Sequence, residues 1–464
     1  MDVKQLGKKV LGGRNPEEPP AWYGRSSEEI IGSLSGIVAQ VNGLADSETS
    51  RYTELAYRLS QIELELERSK GPALTSLELT SFERYASKHP GKRILVAGWY
   101  GADNLGDELM LRAVLEHLPE EALPRTAALL WCNSTYDRLG LDQRIHAIHY
   151  PASTWELESI TDSFDVLVWG GGAILDDGQF NSDKGNFNTG NLFIRMSEMM
   201  LARGKQVYCL GLSSNVSLTK PDYIAHLKNI VEKADHFSLR DNTSLELLAS
   251  LGIPREKMAR CEDLVFSYRE LEAPRAHESN DTFTLGFVLL NSPELNEGYA
   301  SAIAAAANEA KRIHEDKQVK VLLIPFLNDG HFDDVQNADI KAKLATQGIE
   351  AELAEFAYSL AGSPICRCDA LVSYKYHSAL IACCYGIPCM IVARSEHPHY
   401  GNKMGYLARL AHAEDALYTS AQVDEGRTAA FAKFLENPPA PSVDKAVFAE
   451  AQSYLGAMGK RIAG

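Results

Sequence analysis

The first ninety residues and the rest of the chain are patterned differently. Between Ser26 and Lys70, the residues Ile30, Ile31, Leu34, Ile37, Val38, Val41 and Leu44 recur every three or four positions, the spacing of one apolar helix face. A second stretch carries Leu55, Leu59, Ile62, Leu64 and Leu66 among glutamates, and "LADSETS" between the two supplies Asp and Ser as helix caps. The pattern predicts a helical hairpin, preceded by a polar arm with Gly-Gly and three prolines in residues 1–20. The hairpin must bury its stripe, either on the main body or as an element of homo-oligomerisation.

From Lys92 the period changes. Short apolar runs, "RILVAGW", "RTAALLWC", "DVLVWGGG", "QVYCLGL" and "HFSLRD", alternate with amphipathic stretches such as "PDYIAHLKNIVEKAD", which begins with proline. Continuous apolar strands between helices indicate a parallel sheet covered on both faces. The polar segment "ELEAPRAHESND" (270–281) interrupts the alternation, which restarts with "TFTLGFVLL", "VKVLLIPF", "CDALVSY" and "PCMIVA". The expected architecture is α/β, with two doubly wound parallel-sheet domains facing a cleft, like that of the GT-B glycosyltransferases. Its expected parts are an N-terminal arm and helical extension (1–90), a first Rossmann-like domain (91–272) and a second (282–464). Ligands of such sheets sit beyond the carboxyl ends of the strands.

Composition narrows the function. A formal net charge of −16 over 464 residues argues against non-specific binding of nucleic acid or anionic lipid. No apolar run approaches the ~20 residues that span a bilayer, and the opening residues lack the apolar core of a signal peptide. The expected location is cytoplasmic, with attachment to the inner membrane face only through a lipid-linked substrate. The spacings Cys366-x-Cys368 and "ACCYGIPC" are not those of a structural zinc site, so the eight cysteines read as buried reduced thiols. The "HPH" at His397 and His399 has no convergent third ligand in sequence, and no metal or cofactor is expected.

Four strand ends carry chemistry. The first, "GWYGADNLGDELML", combines glycines with Asn104, Asp107 and Glu108 at a helix start. The acidic pair either neutralises the helix N-terminus or, with Asn104, binds hydroxyl groups. The second is "WGGGAILDDGQFNSDKGNFNTGN", where Gly171 and Gly172 permit close approach of a ligand or of backbone. The third places Arg240 at a strand end, able to bind carboxylate or phosphate through two parallel hydrogen bonds or to pair with Asp241 or Asp263. The fourth, "YKYHSALIACCYGIPCMIVARSEHPHYGNKMG", sets Lys375 and His377 at a strand–helix junction, with Arg394, Tyr400 and Lys403 beyond the next strand.

Taken together, "GADNLGDELML", "DVLVWGGGAILDD", "SLRDNTSLELLASLGI" followed by "CEDLVF", "VLLIPF" and "YKYHSALIACCYGIPCMIV" resemble the polysaccharide pyruvyl transferase family over roughly residues 93–410. The resemblance implies a transferase that moves pyruvate from phosphoenolpyruvate onto two hydroxyls of a saccharide, forming a ketal and releasing phosphate in cell-surface or exopolysaccharide synthesis. It implies that Arg240, Lys375 and Lys403 bind phosphoenolpyruvate and that His377 acts as general acid/base or phosphate donor. Asp107 is the candidate base, and Asn104, Gly171, Gly172 and Asp263 are candidates for the acceptor, which is nucleotide- or lipid-linked. The chain departs from the family pattern twice. Lys375 stands where arginine is common, and Ser213 closes what is usually Gly-x-Gly. A GT-B glycosyltransferase using a nucleotide sugar and a non-catalytic glycan-binding relative are the alternatives.

Overall fold

The computed structural model describes residues 71–464, apart from 132–135, 152, 179, 181–188, 215–216, 273–280, 328–332, 395–397 and 426. The expected N-terminal hairpin, most of the expected linker and His397 lie outside the described residues.

After the helix Gly71–Ala86, seven parallel strands form the first sheet: β1 (Ile94–Ala97), β2 (Thr126–Leu130), β3 (His146–His149), β4 (Val166–Gly172), β5 (Gln206–Leu212), β6 (His236–Leu239) and β7 (Ala259–Arg260). Six more form the second: β8 (Thr282–Val288), β9 (Gln318–Leu323), β10 (Ala351–Leu353), β11 (Ala370–Ser373), β12 (Cys389–Ala393) and β13 (Leu417–Thr419). The order is β3-β2-β1-β4-β5-β6-β7 in one sheet and β10-β9-β8-β11-β12-β13 in the other. Both halves therefore reverse direction at the corresponding place, between β1 and β4 and between β8 and β11. Such a switch point opens a crevice at the strands' carboxyl ends.

Strands β1, β2, β4, β11 and β12 are buried along their whole length, as their unbroken apolar sequences demand. The two halves are not independent. One apolar cluster runs from Leu109 and Val265 of the first half through Tyr376 and Leu380 of the second to Phe448 and Leu455 of the last helix, Lys445–Ala463. That helix belongs to the second half by sequence, but it packs on the first. Phe448 meets Phe266 edge-on at 5.7 Å, and the Tyr454 hydroxyl lies 2.9 Å from His236 Nε2 and 2.6 Å from Ser238 Oγ.

The last helix carries two glycines with different surroundings. A Cβ at Gly456 would meet open space, whereas one at Gly459 would overlap the backbone carbonyl of His117. Alanine gains roughly 1 kcal/mol of helix propensity over glycine. Gly456→Ala is therefore expected to raise the thermal midpoint and Gly459→Ala to lower it. A rise in both would mean that the helix sits on the first half without close backbone contact.

Candidate active site

The loops that leave the two switch points face one another around a cavity of about 370 Å³. Trp99, Asn104 and Asp107 follow β1, Ala173, Ile174 and Asp176 follow β4, and Arg240 follows β6. From the second half, Leu290 follows β8, Phe326 and Leu327 follow β9, Lys375, Tyr376 and His377 follow β11, and Lys403 follows β12. The halves touch at the rim. Asn104 and Leu327 form an antiparallel bridge, and the Tyr358 hydroxyl donates to Asp103 Oδ2 at 2.9 Å.

The acidic pair of the first loop divides its labour. Glu108 turns back into its own loop, where Oε1 accepts the Gly101 N–H at 2.8 Å. Burial, reinforced by the charge of Asp107, pushes its pKa up to about 8. Asp107 instead reaches the cavity wall. Burial raises its pKa to about 6, against the opposing pull of His377 and Arg240. Gly106, between Leu105 and this pair, has a distinct purpose: a Cβ there would fall inside the His377 imidazole. The first loop lacks a side chain at the position where the second half's histidine enters.

Arg240 is buried at the centre. Its Nη1 donates to Asp263 Oδ2 at 2.7 Å and lies 3.2 Å from His377 Nε2, while Nε donates to Ser213 Oγ at 3.2 Å. His377 Nε2 is 3.5 Å from the same Asp263 oxygen. Each protonation state of the imidazole thus has a partner: the bare nitrogen accepts from Arg240, and the protonated one faces Asp263. Burial alone would raise the Asp263 pKa, but Arg240 and His377 hold it well below the usual carboxylate range.

Lys403 lies on the helix Pro398–Leu410 and is 3 % exposed. Its Nζ donates to Ser213 Oγ at 2.9 Å. Burial and the nearby Arg240 lower its pKa to about 7, with Asp241, Asp263 and Asp107 pulling the other way. One turn on, Tyr406 donates to Glu262 Oε2 at 2.7 Å and is bonded by Arg260, which ties this helix to the end of β7.

Several sequence expectations meet a different placement. Asp263 is not positioned for an acceptor: it is 1 % exposed, Oδ2 serves Arg240 and His377, and Oδ1 accepts the Val265 N–H at 3.0 Å. Gly171 and Gly172 are buried with φ of 93° and 98°, packed against Met110, Leu264 and Asp107 rather than open to a ligand. Lys375 reaches the cavity, but its ammonium donates to both oxygens of Asp333, at 2.7 and 2.5 Å. Asp333, Trp99 and Asp176 were not singled out from sequence. A carboxylate opening a helix directly after "GHF" carries no local sign of a partner forty residues away.

The profile of the polysaccharide pyruvyl transferase family matches residues 104–396, well over half of the chain. The chain belongs to that family, and so to the transferases. The match begins at Asn104 and includes Asp107, Arg240, Lys375 and His377; Lys403 lies beyond it. No curated protein matches the chain significantly. Among solved structures, UDP-GlcNAc 2-epimerase from Methanocaldococcus jannaschii superposes with a TM-score of 0.50 at 10% identity, covering 79% of this chain and 99% of its own. HepE of Anabaena, in complex with UDP and glucose, gives 0.49 at 12%, covering 80% and 95%. At 10% identity the likeness to the epimerase is one of fold, the GT-B-like arrangement expected from the alternating pattern. Among the described residues, no helix is long and apolar enough to cross a membrane.

The elevated pKa of Glu108 has a consequence for stability. A carboxyl whose pKa is higher folded than unfolded stabilises most below its ordinary range, and that contribution is lost as pH rises toward the folded value. Glu108→Gln keeps an acceptor for Gly101 but cannot ionise. It is expected to flatten the fall in stability between about pH 5 and about pH 8, followed by urea unfolding at each pH. An unchanged slope would show that Glu108 is already ionised in the folded protein.

Proposed function

We propose that the protein transfers pyruvate from phosphoenolpyruvate to two hydroxyls of a saccharide, as a ketal, in the synthesis of a cell-surface or exported polysaccharide. The convergence of Arg240, Lys403, His377 and Asp107 on one cavity at the carboxyl ends of both sheets carries this reading. Phosphoenolpyruvate brings a carboxylate and a phosphate, which suits buried cations in a partly dehydrated site.

In the reaction, an acid protonates the methylene carbon, and the adjacent carbon becomes electrophilic. A first hydroxyl adds there and gives its proton to a base. Phosphate then leaves, and the second hydroxyl adds to the same carbon, its proton balancing the departing phosphate. His377, with a partner for each protonation state, is the group for proton transfer at the donor. Asp107, with its pKa near the working range, takes the hydroxyl proton. Arg240 and Lys403 hold the donor's anionic groups. Lys375, already bound to Asp333, shapes the wall and adds charge at longer range.

The test is phosphate release from phosphoenolpyruvate in the presence of a saccharide mixture, with the pyruvylated product sought by mass. Wild type is expected to turn over. Gly106→Ala, which displaces His377, is expected to lose roughly 100-fold while keeping its circular dichroism spectrum. Turnover of a UDP-sugar with none of phosphoenolpyruvate would replace this reading by glycosyl transfer.

The pH dependence of kcat/KM is a second test. The rate is expected to rise as Asp107 loses its proton near pH 6 and to fall as Lys403 loses its own near pH 7. Lys403→Arg keeps the positive charge and should move the falling limb to higher pH. A limb that stays in place would remove Lys403 from donor binding.

A further inference from the structure

We infer that the acceptor is a pyranoside whose C–H face stacks on the Trp99 indole, its hydroxyls held by Asn104 and Asp176. This rests on the pyruvyl-transfer reading, and it begins from the residues that reading leaves unused. Of the groups expected to hold the acceptor, Asp263, Gly171 and Gly172 are committed to internal contacts, and only Asn104 reaches the cavity. The cavity's volume lies within the range of about 300–1,000 Å³ that encloses drug-sized ligands. Its remaining wall is of another kind from the cation cluster: Trp99, Ile174, Leu290, Phe326 and Leu327. A small dianionic donor has no use for an indole.

Trp99 is half-buried and held in place. Its ring lies 4.9 Å from that of Trp131 at 42°, and Trp131 meets Tyr150 edge-on at 5.4 Å. The Trp131 backbone N–H donates to the Tyr100 carbonyl at 2.7 Å, and the Tyr150 hydroxyl bonds the Gly98 carbonyl. A ring fixed in this way loses little freedom when a ligand covers it. A pyranose offers what the site lacks a partner for, an apolar face with a polar edge.

The polar edge finds two groups. Asn104 stands at the N-cap of the helix Leu105–Glu116, yet its side chain makes no capping hydrogen bond. It lines the cavity instead, with a donor and an acceptor on one amide. Asp176 is half-buried, its Oδ1 oriented by the Gly178 N–H at 2.7 Å. Asn104 and Asp107 are three residues apart at one helix end, so a hydroxyl held by the amide lies within a turn of the base.

The experiment is saturation-transfer NMR on the full chain with phosphoenolpyruvate present, using millimolar methyl β-glucopyranoside, methyl β-galactopyranoside and methyl N-acetyl-β-mannosaminide. At least one is expected to bind, with saturation strongest on the protons of one ring face. Trp99→Ala should weaken it about tenfold, Trp99→Phe should restore most of that loss, and affinity for phosphoenolpyruvate should hold within about twofold. Equal pyranoside binding by Trp99→Ala would overturn the proposal, as would an equal loss of donor affinity. So would wild type binding none of the three, or UDP alone responding to Trp99, which would assign the ring to a nucleobase. Donor binding is read separately by calorimetry. Its absence from wild type would sink pyruvyl transfer, whereas its presence with no pyranoside bound sinks only the Trp99 subsite.

Discussion

One carboxylate oxygen, Asp263 Oδ2, sets the geometry of the whole cleft. It takes a hydrogen bond from Arg240 at 2.7 Å and faces His377 from the other half at 3.5 Å. A guanidinium placed in an interior without such a partner would leave an uncompensated charge, at a cost of about 3–5 kcal/mol. With it, Arg240 stays cationic, and the same anion orients the imidazole. The backbone enforces the arrangement from both sides: Asp263 is fixed by the Val265 N–H, and Gly106 leaves the space that His377 fills.

The two departures from the family pattern follow from this balance of charge. Arg240 is set against Asp263, and Lys375 against Asp333, which also accepts the N–H groups of Phe326 and Leu327. A lysine suits the second position because a compact ammonium meets both oxygens of one carboxylate there; a planar fork is not needed. Ser213, in place of a glycine, gives Arg240 and Lys403 a shared acceptor. A neutral hydroxyl offsets burial less than a carboxylate would, and the Lys403 pKa comes down to about 7. The cavity of this acidic protein is thus nearly balanced in charge, with its most adjustable groups, Asp107 and Lys403, titrating near neutrality.

How much of this was legible in the sequence depended on burial. The nine central strands read directly, because a strand covered on both faces is continuously apolar. The four that did not read, β3, β7, β10 and β13, are the four sheet edges, two to four residues long and partly exposed. Arg240, His377, Lys375, Asp107 and Asn104 were legible because each stands just after a strand or opens a helix beyond one, where doubly wound folds place their ligands; Lys403, inside the helix Pro398–Leu410, was expected to bind the donor from the family resemblance alone. Pairing was legible only in part. Asp263 was one of two partners open to Arg240, and the fold selects it across 23 residues; nothing in the sequence pointed Asp333, at the start of a helix, to Lys375 across 42. Trp99 reads as the end of an apolar strand, and its half-exposed ring is a fact of the tertiary structure alone.

The opening loop shows how one short segment serves stability and chemistry together. Glu108 closes the loop on Gly101, and that closure fixes the helix start from which Asp107 projects. Tyr100 fills a slot between Gly98 and Gly170 and bonds the Gly170 carbonyl, so the β1 and β4 loops are held at one spacing. From the far side, the Asp103–Tyr358 bond and the Arg260–Glu262–Tyr406 cluster fix the second half's loops against the first. Dipoles and charges that are already oriented need no reorganisation as charge develops on a reacting group, the largest single source of rate enhancement in many enzymes. The same rigidity explains why the cavity draws its side chains from both halves. Neither sheet alone can place a cation, a base and an imidazole within a few ångströms, but two switch points locked face to face can.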